Sequence, residues 1–215
     1  MSASLPAASP PAISGLILAG GKGSRMGGVD KGLQLLQGRP LLRWVLDGLF
    51  PQVSETLISA NLEPGHQDDY APFGARILRD EITRAGPLGG IHAGLQAARH
   101  ELLATVPCDA PFLPADLVAR LFRSLDDSQA DIAVARTADG RQPVFALFRR
   151  STTYPALNVY LRLGGRKADG WYAGLRLVEP AFADAAAFSN INTPEALATL
   201  EAKTAPGTQP ACSRR

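Results

Sequence analysis

The sequence predicts an α/β fold: a Rossmann-like, three-layer α/β/α arrangement in which helices cover both faces of a mostly parallel sheet. The main observation is that short apolar runs alternate with helical patterns along the chain. This alternation is typical of strands joined by helical crossovers. A second observation is that a glycine-rich loop follows the first run, where a first strand ends in such sheets. The strand-like runs are residues 13–18, 56–60, 75–78, 102–106, 130–135 and 144–148.

Apolar stripes and prolines mark the helices. Pro40 lies near the first turn of the first predicted helix, and Pro51 ends that helix. Its buried stripe consists of Leu41, Leu42, Val45, Leu46 and Leu49. Further helical patterns cover residues 87–99, 114–125, 154–163 and 193–203.

Composition limits the class of protein. The 215 residues suffice for one domain with a sizeable core, predicted at residues 13–203. A net charge of +2 argues against a nucleic acid or a membrane surface as the main partner.

Residues 1–12 lack the features of a signal peptide and are predicted to be a disordered segment, with a flexible tail at 204–215. Two cysteines, Cys108 and Cys212, predict no disulfide framework and a reducing, cytoplasmic compartment.

The loop between Leu18 and Lys31 combines five glycines with three cations. Glycine lets backbone N–H groups approach an anion closely, and the cations supply charge, so the loop predicts a phosphate site. It matches neither common phosphate motif. Lys22 and Lys31 are followed by glycine rather than Ser or Thr, which excludes a P-loop, and Met26 stands where a dinucleotide fingerprint needs glycine. The alternative is a glycine-rich surface loop without a ligand.

Three polar residues follow predicted strands and should meet at one edge of the sheet. Asp109 comes three residues after the run at 102–106, where its carboxylate could hold Mg²⁺ between two phosphates. It could instead cap the turn or the following helix. Asn61 and Asp80 end two further runs and could contact a base or ribose, although both residue types also favour turns.

Histidine contributes no convincing catalytic base, and no Ser-His-Asp set or His/Cys metal cluster can be assembled from the sequence. A nucleophile that is already anionic, such as a phosphate monoester attacking a nucleotide α-phosphate, needs positioning and charge neutralisation more than a base. Near the C-terminus, Asn192 or Thr193 could simply cap the last helix, with Pro194 in its first turn.

Several motifs together resemble the molybdenum cofactor guanylyltransferases, over nearly the whole ordered chain. The glycine loop, its Arg and Lys, and the strand-end Asp are shared with other nucleotidyltransferases of the same fold. The motifs that carry the resemblance are Leu18-Ala19-Gly20-Gly21, Arg25-Met26-Gly27, Asp30-Lys31, Ser59-Ala60-Asn61, Gly86-Pro87-Leu88, Pro107-Cys108-Asp109, Pro143-Val144-Phe145, Gly165-Arg166-Lys167 with Trp171, and Asn190-Ile191-Asn192-Thr193-Pro194.

The resemblance implies a sheet of nucleotidyltransferase type and transfer of GMP from Mg-GTP to the terminal phosphate of molybdopterin. Asp109 would bind Mg²⁺, and Arg25 would neutralise the pyrophosphate leaving group. Arg25, Lys31 and Asp109 would form the catalytic set. GTP would be bound by Leu18, Ala19, Gly20, Gly21, Lys31, Asn61, Asp80 and Asp109. The pterin would face Arg166, Lys167, Asn190 and Asn192, and molybdoenzymes with their chaperones would receive the product.

Two positions depart from the family's usual pattern: Ala110, where Thr is frequent, and Gln142, where His often precedes Pro-Val. Neither removes an obligatory ligand. Three alternatives remain open: a cytidylyltransferase for the same acceptor, a sugar-nucleotide transferase of the same fold, and a nonenzymatic cofactor carrier.

Overall fold

The strands form a seven-stranded sheet with the order β5-β4-β1-β6-β8-β7-β9, and β2 and β3 form a separate hairpin. The computed structural model describes residues 11–19, 30–60, 69–82 and 85–204. The strands are β1 (Ile13–Leu18), β2 (Leu35–Leu36), β3 (Arg39–Pro40), β4 (Glu55–Ser59), β5 (Arg76–Leu78), β6 (Leu102–Pro107), β7 (Ile132–Thr137), β8 (Gly140–Arg149) and β9 (Leu177–Val178). The helices are α1 (Leu41–Leu49), α2 (Pro87–Ala97), α3 (Leu117–Asp127), α4 (Arg150–Arg162), α5 (Ala168–Tyr172) and α6 (Pro194–Thr204).

The sheet is parallel except at β8, which confirms the predicted fold class. Strands β5, β4, β1 and β6 pair in parallel, as do β7 and β9. Strand β8 runs antiparallel to both of its neighbours. The cause is local: β7 and β8 are joined by a two-residue connection ahead of Gly140, whose φ of 110° suits glycine, and a connection this short allows only antiparallel pairing.

Two hydrophobic clusters cover the two faces of the sheet. In β1, Ile13 and Ile17 pack with helices α1 and α3, whereas Leu16 points to the opposite face and packs with α2, α4 and α5. Successive side chains of a strand alternate between faces, so one strand supplies both clusters. The predicted three-layer arrangement follows from this alternation.

Element boundaries differ from the sequence-based prediction in two informative places. Helix α4 begins at Arg150, four residues before the predicted start, and it contains Pro155; the Thr153 hydroxyl donates to the Arg149 carbonyl at 2.8 Å in its first turn. Helix α3 begins at Leu117 rather than at 114, with Asp116 as its N-cap. No helix within the described ranges is long and apolar enough to cross a membrane.

A paired carboxylate at the start of β7 anchors the chain before β9. Asp131 is buried and accepts hydrogen bonds from the Arg176 backbone N–H at 3.0 Å and from its guanidinium at 2.9 and 3.1 Å. The bonds from the Arg176 side chain lower the pKa of Asp131 below its ordinary value of 3.8. The carboxylate therefore stabilises the fold above that value, and the contribution disappears as pH falls through the depressed pKa.

We expect Asp131→Asn to lower the Tm by about 3 °C at pH 7, since one charge-assisted pair and part of its hydrogen bonding are lost. Thermal unfolding from pH 7 to pH 3 checks this: the difference from the parent protein should shrink below pH 4. The exposed Asp127→Asn is the matched control and should change the Tm little at any pH. A difference that stays constant with pH would contradict the assignment.

Candidate active site at the carboxyl edge of the sheet

The carboxyl ends of four parallel strands meet at one edge of the sheet. The register pairs Leu18 of β1 with Ser59 of β4 and with Pro107 of β6, and pairs Ser59 with Leu78 of β5. Asp80 and Asp109 follow two of these strands, so the predicted placement of both carboxylates at this edge is confirmed. Ligands of open α/β sheets bind at such an edge.

Three polar side chains from distant parts of the chain converge there. The Lys31 ammonium donates to Asn192 Oδ1 at 2.5 Å and lies 3.4 Å from Asp109 Oδ2. Asp109 is 6% exposed, whereas Asn192 lies at the surface. The cluster therefore places a cation between a buried carboxylate and a surface amide, at the carboxyl edge of the sheet.

The environment of Asp109 sets its charge. Burial raises the pKa of Asp109, and the Lys31 ammonium opposes that shift by charge and by hydrogen bonding. At 3.4 Å this contact is long for a hydrogen bond. The Lys31 ammonium therefore balances the negative charge of the carboxylate without holding the carboxylate tightly. An oxygen donor of this kind fits a hard divalent cation such as Mg²⁺. Among the described residues no group of three or more potential metal ligands occurs, so other oxygens would come from phosphates and water.

The segment around Asn192 is held against Asp109 through the backbone. The Ile191 N–H donates to the Asp109 carbonyl at 2.8 Å, and the Ile191 side chain is buried with Leu36 and Leu41. Thr193 Oγ1 accepts from the Ala196 N–H at 3.1 Å and so caps α6. The sequence offered Asn192 or Thr193 as the cap of the last helix. In the structure Thr193 caps the helix, and Asn192 contacts Lys31 instead. Asn190 is exposed.

Close packing of the first turn of α2 forms a second part of the edge. Ser59 Oγ donates to Asp80 Oδ1 at 2.7 Å, which orients that carboxylate. A Cβ on Gly89 would lie 3.0 Å from Asp80 Oδ2, and one on Gly90 would lie 2.6 Å from Ser59 Oγ. A side chain at position 90 would therefore force Ser59 to move, and one at position 89 would crowd Asp80. The sequence-based prediction named Asp80 but assigned no role to Ser59.

The predicted pterin-facing pair lies apart from this cluster. Arg166 and Lys167 are exposed, and Arg166 donates to the carbonyls of Leu161 and Gly165 at the end of α4. The following helix, α5, is tied to the start of β8 by a 2.7 Å hydrogen bond from Tyr172 to Pro143. The start of β8 lies at the end of β6, so the pair belongs to the carboxyl-edge side. No described contact joins it to Lys31 or Asp109.

Other predicted residues lie in the glycine loop and after β4. Leu18 is half-buried, and the Ala19 N–H donates to the Ser59 carbonyl at 2.8 Å, so that amide is used within the sheet. Gly20, Gly21, Arg25 and Asn61 lie outside the described residues, as does Lys22, and their roles stay predictions.

Two residues that sequence reasoning did not place in the site support the turn that carries Lys31. The Tyr70 hydroxyl donates to Asp30 Oδ2 at 2.6 Å, and Asp30 precedes Lys31. Asp30 was marked in the sequence only as part of the Asp30-Lys31 motif, without a role, and no signal marked Tyr70, forty residues further on. His92, one of the three histidines, is buried in α2 with its Nε2 2.6 Å from Asn158 Oδ1, which makes it part of the α2–α4 packing.

Comparison with known proteins gives a consistent result. The family model described as "MobA-like NTP transferase domain" matches residues 15–181. The molybdenum cofactor guanylyltransferase of Burkholderia lata is 52% identical over 206 residues, covering 91% of this chain and 98% of that protein. The protein of the same name from Cupriavidus necator is 47% identical over 197 residues, covering 89% and 97%.

Solved structures share the fold. Molybdopterin-guanine dinucleotide biosynthesis protein A from Archaeoglobus fulgidus is 24% identical, with a TM-score of 0.75 over 88% of this chain and 97% of that one. The 4-diphosphocytidyl-2C-methyl-D-erythritol synthase from Anaerococcus prevotii is 16% identical, with a TM-score of 0.71 over 89% and 95%. The fold is therefore shared with a protein outside the molybdenum cofactor guanylyltransferases.

We expect Gly90→Ala to weaken binding of a nucleoside triphosphate about tenfold, because the new methyl group pushes against Ser59 and disturbs Asp80. Gly94→Ala is the matched control. Its Cβ would lie 2.4 Å from Leu16, one turn further from the edge, so it should lower the Tm at least as much without a specific loss of affinity. Calorimetric titration and thermal unfolding separate the two effects. Equal losses of affinity in both variants would contradict the role of Gly90.

Proposed function

The chain belongs to the molybdenum cofactor guanylyltransferases, within the MobA-like NTP transferases, and we propose that it transfers GMP from GTP to the terminal phosphate of molybdopterin. The products are molybdopterin guanine dinucleotide and pyrophosphate. The observation that carries the proposal is the position of the Lys31 ammonium, in contact with both Asp109 and Asn192. One cation thereby joins the segment expected to hold the nucleotide to the segment expected to hold the pterin.

The reaction is a phosphoryl transfer between anions. An oxygen of the molybdopterin phosphate forms a bond to the α-phosphorus of GTP, and the bond from that phosphorus to the bridging oxygen breaks to release pyrophosphate. Because the attacking oxygen is already anionic, no side chain has to remove a proton. The main barrier is repulsion between like charges, which oriented cations relieve.

Asp109 is the residue that would hold Mg²⁺. Its carboxylate is buried at the end of β6 and is approached by only one cation among the described residues, through Oδ2. When bound, Mg²⁺ would neutralise charge on the nucleotide phosphates and fix their orientation. Lys31 can contact the phosphates from the same side, since its ammonium carries three donors and is only loosely engaged by Asp109.

The acceptor side is proposed to run from Asn192 towards Arg166 and Lys167. Amide and cationic donors suit a phosphorylated pterin, whose ring and phosphate both accept hydrogen bonds. Asn190 is also exposed and lies two residues before Asn192, so we include it in the acceptor side. We place the enzyme in the cytoplasm and expect molybdoenzymes with their chaperones to take up the product.

The proposal is tested by release of pyrophosphate with GTP, CTP, ATP or UTP, each with and without molybdopterin, in the presence of Mg²⁺. Release should require GTP, Mg²⁺ and molybdopterin together. A preference for CTP would indicate a cytidylyltransferase, and tight product binding without turnover would indicate a carrier. Asp109→Asn should lower kcat at least a hundredfold, because the carboxylate that would bind the metal is lost.

Asp116→Asn is the matched control for the Asp109 variant. Asp116 is an exposed N-cap of α3 whose carboxylate makes no capping hydrogen bond. Its replacement should leave pyrophosphate release within about twofold of the parent. Turnover that survives in Asp109→Asn would contradict the assignment of the metal-binding carboxylate.

We expect Asn192→Ala to raise the KM for molybdopterin about tenfold, since one hydrogen bond to a charged group is lost at the acceptor side. Thr193→Ala should instead speed amide hydrogen exchange in α6, because Thr193 supplies the cap. Steady-state kinetics and hydrogen exchange on both variants check this division. A KM for molybdopterin that changes only in Thr193→Ala would show that Asn192 has no part in acceptor binding.

A further inference from the structure

Tyr70 is a fully buried tyrosine whose hydroxyl meets a carboxylate beside the active site. Its ring is 0% exposed and packs in the same hydrophobic cluster as Cys108 and Ala110. Its hydroxyl donates to Asp30 Oδ2 at 2.6 Å. Burial and the Asp30 carboxylate raise the pKa of Tyr70, so the phenol stays protonated and remains a donor. Packing alone would be served equally by Phe, so the hydroxyl needs a separate explanation.

Asp30 connects this hydroxyl to the turn that carries Lys31. Asp30 caps the 3₁₀ helix Lys31–Leu33: its Oδ1 accepts from the Gly32 N–H at 3.0 Å. Its carbonyl accepts from the Leu33 N–H at 3.2 Å. The two carboxylate oxygens therefore have different partners, one within the turn and one on Tyr70. Removing the Tyr70 hydroxyl would leave the turn held at only one of these oxygens.

The same turn lies next to the strand end that carries Asp109. A Cβ added at Gly32 would lie 3.5 Å from Cβ and Sγ of Cys108, which is an ordinary van der Waals distance, so the backbone of the turn runs close to that residue. The turn is thus hydrogen-bonded to Tyr70 through Asp30 and lies close to Cys108.

We propose that Tyr70 and Asp30 are positioning residues that direct the Lys31 ammonium to the position between Asp109 and Asn192. A lysine side chain is flexible and loses rotamer entropy when it is held in place, so the aim of its ammonium depends on how firmly its backbone is fixed. The hydrogen-bonded series from Tyr70 through Asp30 to the Lys31 turn supplies that restraint. The inference rests on the proposed function, because it concerns Lys31, the residue proposed to lie between the two substrates in that reaction.

The test is a double-mutant cycle on kcat for pyrophosphate release. Tyr70→Phe should lower kcat about tenfold in the parent, since misplacement of a catalytic group by a fraction of an ångström is costly. In the Lys31→Arg background, where the ammonium is already replaced, the same change should cost less than twofold. Equal losses in both backgrounds would overturn the proposal, as would no loss in the parent.

Tyr172→Phe is the matched control. Tyr172 is also buried and also donates one hydrogen bond, at 2.7 Å, to the Pro143 carbonyl, with no described contact to the Lys31 turn. It should lower the Tm about as much as Tyr70→Phe, and its effect on kcat should be the same in the parent and Lys31→Arg backgrounds. If it coupled to Lys31 as strongly as Tyr70→Phe, the coupling would reflect general destabilisation and the proposal would fall.

A second readout needs no turnover. The ¹⁵N resonance of the Lys31 ammonium in the substrate-free protein should move towards that of a solvent-exposed lysine in Tyr70→Phe and Asp30→Ala, but not in Tyr172→Phe. An unchanged resonance in Tyr70→Phe would overturn the proposal whatever the kinetics. Failure of the parent protein to release pyrophosphate would instead contradict the proposed function and leave this readout valid.

Discussion

The contact between the Lys31 ammonium and the buried Asp109 carboxylate is the interaction on which the rest of the site depends. Removing a carboxylate from water is costly, and a single ammonium at 3.4 Å repays little of that cost. Burial still raises the pKa of Asp109, as expected for a group that is not fully compensated. Such a carboxylate contributes little to stability and is well suited to accept a cation, so function explains its place better than folding does.

The sheet brings this pair together through topology rather than through local sequence. Strands β1 and β6 are hydrogen-bonded neighbours although the chain forms β4, β5 and α2 between them. Parallel pairing places the chain after each strand at the same edge, so the turn that follows β1 and the loop that follows β6 meet. The antiparallel β8 then takes the chain back to the opposite edge of the sheet, from which α4 starts. Helices α4 and α5 cover the second face of the sheet, and Arg166 and Lys167 lie between them.

The C-terminal part of the chain completes the site by packing on a different surface. Ile191 is buried with Leu36 and Leu41, and Leu197 and Leu200 pack against the same small cluster. This apolar contact, with the backbone hydrogen bond from Ile191 to Asp109, holds Asn192 over Lys31. The match to the family model ends at residue 181, before this segment, so the part that brings the two proposed substrate regions together lies beyond the general nucleotidyltransferase domain.

Features of the fold that follow from local sequence patterns were predictable, and features that depend on longer-range contacts were not. The alternation of apolar runs predicted the three-layer fold, and the positions of Asp80 and Asp109 after strands predicted their shared edge, because both follow from local periodicity and from the geometry of parallel strands. The Asp139-Gly140 pair, a common turn sequence, marks the short connection that makes β8 antiparallel. Boundaries such as the start of α4 were less predictable, since proline usually marks the first turn of a helix, whereas Pro155 lies inside this one.

By itself, then, the sequence determined that Asp80 and Asp109 reach one edge of the sheet and which chemistry these side chains favour. Only the tertiary structure decided their partners: Lys31 meets Asn192 across 161 positions of the chain, and Tyr70 meets Asp30 across 40. The physical reason is that neither pair has a local pattern that could reveal it. Each depends on how separate loops pack once the sheet has brought the ends of its strands together.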